Sequence, residues 1–360
     1  MNNLNNFHSP PKKILIIRLQ AMGDVVITLP YIKSLKENLP HSTQIHFLTR
    51  EETQEVPQKL TLFNKVFSIK GGRSTKKQWF WVILMLPKLL LENYEIIADL
   101  QNNRLSRFIT KFLAFFGNIK NTVFFDKYSP NPAGERNKNT LQKLQIADIQ
   151  FSKIISPQPQ LPKHYASFQL LGSLQNNLTV ILNPAGLFEN RNWHIENYLS
   201  FAKIWLKKYP KTTFLLLGIG KITEKAKFLE DNLNENLQEN AVKNCINLVN
   251  KTTTFEAFAL VGKADFVLSE DSGLMHFAWV QDVPLLAVFG ATRSDWTKPL
   301  GQNSAYLDSS DMPCGNCMQE KCHKTENSNK NLNECMTRYT PEFIFEKADE
   351  IFMKSIHQKI

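Results

Sequence analysis

The chain has 360 residues, 42% of them hydrophobic and 25 of them Phe. That is ample apolar material for packed cores, so it excludes global disorder, and the length favours two domains over one. The net charge of +10, from 43 Lys+Arg against 33 Asp+Glu, suits an anionic partner: nucleic acid, anionic lipid or a phosphorylated substrate. No Arg/aromatic stripe of the nucleic-acid kind stands out, so nucleic acid is not expected.

In chain order, residues 1–13 are polar, with Asn repeats and a Pro-Pro-Lys-Lys run, and read as no secretory leader. A cytoplasmic protein is expected. Ile14–Leu19 reads as a buried strand, followed by a tight turn through Met22-Gly23-Asp24. A helix follows with apolar positions Val25, Val26, Leu29, Ile32 and Leu35, ending near Pro40. Strands are expected at 44–48 and 65–69. The run from Trp79 to Leu86, then Pro87, Lys88 and Leu89 to Leu91, falls short of the about 20 apolar residues that span a bilayer. It reads as a core or amphipathic helix, with a side able to rest on a membrane surface. A strand at 94–100, a helix at 106–116 and a strand at 122–125 complete the first series. Residues 126–165 break the rhythm with turn chemistry and Pro157, Pro159 and Pro162. The interdomain linker is placed near 155–178.

A second alternating series has strands at 179–182, 213–217, 245–248, 266–269 and 285–289. Its helices fall at about 196–208, 223–232, 254–262 and 273–280, and the tail from 341 to 356 reads as one amphipathic helix. Strand–helix alternation implies α/β architecture with parallel sheets. Two doubly wound, Rossmann-like domains are therefore expected, at 1–165 and 166–340, facing a central cleft. Ligands in such sheets sit beyond the carboxyl ends of the strands.

Two turns carry most of the chemistry. Asp24 follows Gly23 at a strand-to-helix turn, where a carboxylate can serve as a base or simply cap the helix. The single Gly there does not make the Gly-x-Gly-x-x-Gly fingerprint of a dinucleotide site. The other turn is Glu270-Asp271-Ser272-Gly273-Leu274-Met275-His276 after the strand at 266–269. Gly273 permits close backbone approach, Ser272 offers a hydroxyl, and His276 lies one helical turn on; a capped helix with a buried His is the plainer reading. Asn183-Pro184-Ala185-Gly186 ends another strand and leads to Arg191, a candidate cation for a diphosphate. Leu217-Gly218-Ile219-Gly220 ends the next, with Glu224 behind it as a candidate for ribose hydroxyls or as an exposed acid. Cys314, Cys317, Cys322 and Cys335 cluster late in the chain, where reduced thiols and a structural metal are both open. No Asp-x-Asp occurs anywhere in the chain, so the common way of holding a metal on a nucleotide diphosphate has no support.

These segments together resemble glycosyltransferase family 9, the lipopolysaccharide heptosyltransferases, from about residue 12 to 350. The resemblance rests on Met22-Gly23-Asp24 with Thr28-Leu29-Pro30 downstream, on Tyr94–Leu100 leading into Arg104 and Ser106, and on Asn183-Pro184-Ala185-Gly186. It is most specific at Asp271-Ser272-Gly273-Leu274-Met275-His276, followed by Pro284-Leu285 and Phe289-Gly290. Ser-Gly-Leu-Met-His puts it nearer the heptosyltransferase II branch than the I branch.

The resemblance implies a GT-B fold whose C-terminal helix, 341–360, packs back on the N-terminal domain. It implies inverting, metal-independent transfer, with no cofactor, from an ADP-heptose donor to the inner core of lipopolysaccharide. Asp24 matches the general base. The implied donor contacts are Gly23, Gly186, Leu187, Arg191, Gly218, Glu224, Asp271, Ser272, Gly273, Leu274 and His276. Arg191 stands where the family usually has Lys in Lys-x-Trp-Pro, and His194 replaces the Pro; Lys and Arg differ in geometry at a diphosphate. Arg73, Lys76, Lys77 and Arg104 are candidate contacts for the anionic acceptor, and peripheral contact with the inner face of the inner membrane is expected. The alternatives are a family 9 transferase with another nucleotide sugar or acceptor, and a non-catalytic sugar-nucleotide-binding module.

Overall fold

The apolar runs become two all-parallel sheets in a computed structural model that describes residues 10–146, 148–156, 177–186, 188, 192–235, 243–320, 322 and 333–357. The chain divides into two compact units, Met1–Ile154 and Ile155–Ile360, ahead of the expected boundary at 165/166. The expected linker residues 157–176 lie outside the described residues.

The first unit runs β1 (Lys13–Ile17), α1 (Met22–Glu37), β2 (Gln44–Arg50), α2 (Glu55–Lys59), β3 (Lys65–Ile69), α3 (Thr75–Leu91), β4 (Ile96–Asp99), α4 (Arg104–Phe116), β5 (Asn121–Phe124) and α5 (Ala133–Gln142). Its sheet order is β3-β2-β1-β4-β5. Helices on both faces require strands that are apolar throughout, and Ile14 to Ile17 are all fully buried. The order reverses between β1 and β4, where Ile17 pairs with Asp99. That switch point is where a doubly wound sheet opens a crevice at its carboxyl ends.

The second unit runs β6 (Leu178–Asn183), α6 (Ile195–Lys208), β7 (Thr212–Leu216), α7 (Thr223–Asn234), β8 (Cys245–Asn247), α8 (Thr254–Val261), β9 (Phe266–Glu270), α9 (Gly273–Val280), β10 (Leu285–Val288), α10 (Ser294–Thr297), β11 (Ser304–Leu307), α11 (Glu334–Thr337) and α12 (Pro341–His357). Its order is β11-β10-β9-β6-β7-β8, with the switch between β6 and β9, where Asn183 pairs with Ser269.

Two elements depart from the sequence reading. Residues 126–165, read as a break, contain α5. Its buried positions are Ala133, Gly134, Asn137, Thr140 and Leu141, a small and polar face that packs on α1 and gives no apolar periodicity. Strand β11 went unnoticed because it is short and only half-buried. Within the second unit, helix α12 packs on α6. Trp205 of α6 meets Phe345 and Phe352 at 6.0 and 5.4 Å between ring centroids, and Asp349 takes bonds from Lys208 and Tyr209, each at 2.6 Å.

A buried polar cluster in the first unit predicts acid sensitivity. His46 of β2 is fully buried, with Nδ1 3.0 Å from the Tyr94 hydroxyl. Burial pushes its pKa down from 6.5 to about 4, partly opposed by Glu92. Protonation therefore favours the unfolded chain, and stability falls as pH drops from 6.5 towards about 4. The full loss is about 3 kcal/mol. The His46 contribution is read as the difference in urea stability between the wild type and His46→Gln, which should move against the wild type as pH falls across this window; a difference that does not change with pH would contradict it.

Candidate functional site

In the second unit, the carboxyl ends of β6, β7 and β9 and the N-termini of α8 and α9 enclose a cavity of about 330 Å³. Its lining includes Ala185, Gly186, Gly218, Ile219, Lys221, Thr253, Ser272, Gly273, Leu274 and Phe277. The wall is largely apolar, with hydroxyls, one lysine and two helix N-termini at its edge. Such a surface suits a flat base beside an anion.

Local sequence explains the shape. Gly218 has φ +147°, a conformation closed to side chains, and a Cβ there would meet Ile222 Cδ1 at 2.7 Å. A Cβ on Gly273 would meet nothing within 4 Å, so the absent side chain is what keeps the space open. Ser272 is the N-cap of α9 but makes no side-chain bond to its own helix. Its hydroxyl instead accepts from Asn183 Nδ2 at 2.6 Å, and Asn183 also donates to Ser269 at 2.8 Å. The first amides of α9 therefore open on the cavity with the positive end of the helix dipole. Thr253 caps α8 by accepting from the Glu256 amide at 3.2 Å.

Glu270 builds this wall from behind. It is fully buried at the end of β9 and accepts from the Gly186 amide at 2.6 Å and the Trp193 amide at 2.7 Å, with the Tyr198 hydroxyl at 3.4 Å. Burial pushes its pKa up to about 8, against the pull of Lys225. Lys225 in turn donates to Asn192 and to the Pro184 carbonyl. Gly186 thus offers the cavity its backbone surface while its N–H is committed to Glu270. Glu270→Ala leaves two buried amides without an acceptor, and should lower unfolding stability by about 3 kcal/mol. Glu270→Gln, which keeps a carbonyl oxygen, should lose clearly less in the same denaturation experiment. Equal losses would mean that volume and a single retained oxygen count for nothing, and that only the full carboxylate, with an acceptor for each amide, holds this wall.

The first unit places Asp24 just beyond β1. Ala21 is the N-cap of α1, and Asp24, in the first turn, reaches back to accept the Ala21 amide at 2.9 Å. Arg18 is buried and forms an ion pair with Asp24 at 2.8 Å, while the Asp24 side chain stays 34% exposed. Arg18 is held in turn by the Leu100 carbonyl and lies over the Phe125 ring. Gln101 accepts from the amides of Leu19 and Gln20, fixing the turn that carries Asp24. The result is an oriented, accessible carboxylate at the sheet's switch point.

A second cavity, about 560 Å³, opens in the first unit at the N-terminus of α4. Trp79, Arg104, Arg107, Phe108, Lys111 and Lys127 are among its lining residues.

The expected site residues divide accordingly. Gly186, Gly218, Ser272, Gly273 and Leu274 line the second-unit cavity, and Arg104 lines the first-unit one. Glu224 is exposed on α7, and neither it nor Asp271 is among the residues lining the cavity. His276 is buried within α9, its Nδ1 accepting from Trp279 Nε1 at 3.1 Å; the neutral ring then carries its proton on Nε2. Gly23 lies in the first turn of α1. Arg73, Lys76 and Lys77 are exposed around the start of α3. His194 is the exposed N-cap of α6. Leu187 and Arg191 lie outside the described residues. Cys314, Cys317, Cys322 and Cys335 are all half-buried, and among the described residues no group of three or more ligating side chains is placed to hold a metal. Burial, then the three neighbouring thiols, pushes the Cys335 pKa up to about 11.

Arg18, Asn183, Glu270, Arg107, Lys111 and Lys127 were not singled out for the site from sequence. A charged residue inside an apolar strand, as at Arg18 and Glu270, is the signal that could have found two of them.

Comparison with known proteins identifies the fold and the family. The chain is similar to lipooligosaccharide heptosyltransferase 2 of Campylobacter jejuni, 27% identical over 349 residues, covering 95% of this chain and 99% of that one. Among solved structures it resembles a family 9 glycosyl transferase from Veillonella parvula, with TM-score 0.75, 15% identity and coverage of 95% and 97%. It also resembles E. coli ADP-heptose lps heptosyltransferase II, with TM-score 0.66, 17% identity and coverage of 95% and 99%. These likenesses fix the fold as GT-B. The model of glycosyltransferase family 9 (heptosyltransferase) matches residues 138–327, more than half of the chain and all of the turns that line the second-unit cavity. The chain therefore belongs to glycosyltransferase family 9 and is a glycosyltransferase.

Proposed function

We propose that this chain transfers heptose from ADP-heptose to the inner core of lipopolysaccharide, with inversion and without a required metal or cofactor, working peripherally at the inner face of the inner membrane. The observation that carries this reading is the second-unit cavity, where helix N-termini and an apolar wall meet at the carboxyl ends of β6, β7 and β9. It is supported by the C. jejuni relative, a lipooligosaccharide heptosyltransferase, and by the E. coli neighbour, named for ADP-heptose.

In this reading the adenosine lies along Ile219 and Phe277, and the diphosphate meets Ser272 and the first amides of α9. Lys221 adds positive charge at the rim, and Arg191 is assigned there from its sequence position. Asp24 takes the proton of the acceptor hydroxyl as that oxygen bonds to the anomeric carbon. The anomeric carbon–oxygen bond to phosphate breaks on the opposite side, and its electron pair leaves with ADP. Charge that develops on the departing diphosphate is met by fixed dipoles and cations. Arg104 and the cations beside it, with Arg73, Lys76 and Lys77, are assigned to the acidic groups of the acceptor.

Stereochemistry tests the mechanism. Product formed from ADP-heptose in the presence of EDTA should carry the anomeric configuration opposite to the donor's, read by NMR coupling constants. Retained configuration would overturn the direct displacement, and loss of product on chelation would overturn metal independence.

A further inference from the structure

Helix α3 is apolar on the wrong side for a helix bathed in water. Val82, Leu86 and Leu89 face the core, as packing requires, but Phe80, Ile83, Leu84 and Leu91 face outward at 58%, 58%, 55% and 86% exposure. Their spacing of three, one and seven residues makes a single helical stripe, the stripe that ordinary amphipathicity fills with polar residues. Helix α4 adds Phe115, 80% exposed, beside Phe116 at 4.7 Å between rings.

The two helices pack together. Trp79 meets Phe108 at 5.0 Å, and the position of a Cβ on Gly117, at the end of α4, lies 3.5 Å from Leu90 near the end of α3. Their N-terminal ends therefore lie side by side, and so do their C-terminal ends. The shared N-terminal end is cationic, with Lys76, Lys77, Arg104, Arg107 and Lys111. The shared C-terminal end is exposed hydrocarbon. No Asp or Glu occurs between Glu55 and Glu92, or between Asp99 and Asp126. A protein partner would usually meet a rim of both signs; a rim of cations alone complements a surface of one sign, as an anionic bilayer is.

We propose that the α3–α4 layer is the surface by which this chain lies on an anionic bilayer, its outward hydrocarbons entering the headgroup boundary and the positive field of its cationic end drawing it to that surface. The proposal rests on the peripheral-membrane reading above and gives it a surface. The test is flotation with vesicles, in the absence of any sugar donor, for the wild type and a Phe80→Ser/Leu84→Ser/Leu91→Ser variant. These positions are exposed, so the variant should stay folded and unfold within a few degrees of the wild-type temperature. The wild type should float with phosphatidylglycerol-containing vesicles at low salt, be released by salt, and ignore pure phosphatidylcholine. The variant's partition should fall by about tenfold or more, while its transfer to a short-chain, water-soluble acceptor stays at the wild-type level. Equal binding by the variant would overturn this surface and leave a peripheral enzyme docking elsewhere. No vesicle binding by the wild type would overturn both. Wild-type self-association that the variant abolishes, with vesicle binding unchanged, would assign the face to a second copy of the chain. Vesicle binding that behaves as expected, in a protein that transfers no heptose, would leave the surface standing and remove only the reaction.

Discussion

Asp24→Asn should lower kcat by about 10²-fold or more, with little change in acceptor KM. The amide is nearly isosteric, and its oxygen can still accept the Ala21 N–H that the carboxylate accepts at 2.9 Å. What it loses is the ability to take a proton and the ion pair with Arg18 at 2.8 Å. The second loss has a structural consequence: a buried guanidinium keeps the Leu100 carbonyl and the Phe125 ring but no longer has this carboxylate. For a carboxylate that is one-third exposed, this amounts to about 1 kcal/mol of stability. A purely structural role for Asp24 would give that modest stability change and leave kcat alone. Thermal unfolding and steady-state kinetics on the same preparation separate the two. Full activity in a folded Asp24→Asn protein would remove it from proton transfer.

Gly273→Leu should abolish nucleotide binding while leaving the fold intact. The position opens α9, and an added Cβ meets no atom within 4 Å. The new side chain therefore enters a cavity of about 330 Å³ rather than the core. Replacing Gly within the helix should hold or raise stability, by about 0.5–1 kcal/mol relative to Gly. The diphosphate, by contrast, loses its approach to the helix terminus, and ADP affinity should drop by about 10²-fold or more. Gly220→Ala is the control. A Cβ there also meets nothing within 4 Å, but Gly220 is exposed and is not among the cavity-lining residues, so calorimetric ADP binding should be unchanged. Wild-type ADP affinity in Gly273→Leu would place the nucleotide elsewhere.

Much of this was legible in the sequence, for physical reasons that differ by element. Strands buried on both faces, such as Ile14–Ile17 and Phe266–Leu268, announce themselves as unbroken apolar runs bounded by polar turns. Gly-containing turns at 186, 218 and 273 follow β6, β7 and β9, so strand assignment alone brought them to one end of one sheet. Helix α5 was not legible, because its buried face is Asn137, Thr140 and small residues with a single large apolar residue, Leu141, too few to set a period. The inner support of the cavity was hidden for a related reason. Glu270 and Asn183 close hydrogen-bond circuits with residues many positions away, and pairings at that distance leave no local spacing to read. In the first-unit cavity, Arg104, Arg107 and Lys111 share a helical stripe that spacing could have shown, but Lys127 joins them only through the turn after β5. The amphipathic reading of the 79–91 segment was available, yet only burial shows which of its stripes faces out.

The most direct test of the central claim is product formation by the purified wild type from ADP-heptose, and in parallel from other nucleotide sugars, on truncated core acceptors with and without their first heptose. The account predicts a heptose-extended core from ADP-heptose alone, and on inner-core acceptors. Folded protein that leaves every acceptor unextended with ADP-heptose, while consuming a different nucleotide sugar, would contradict it.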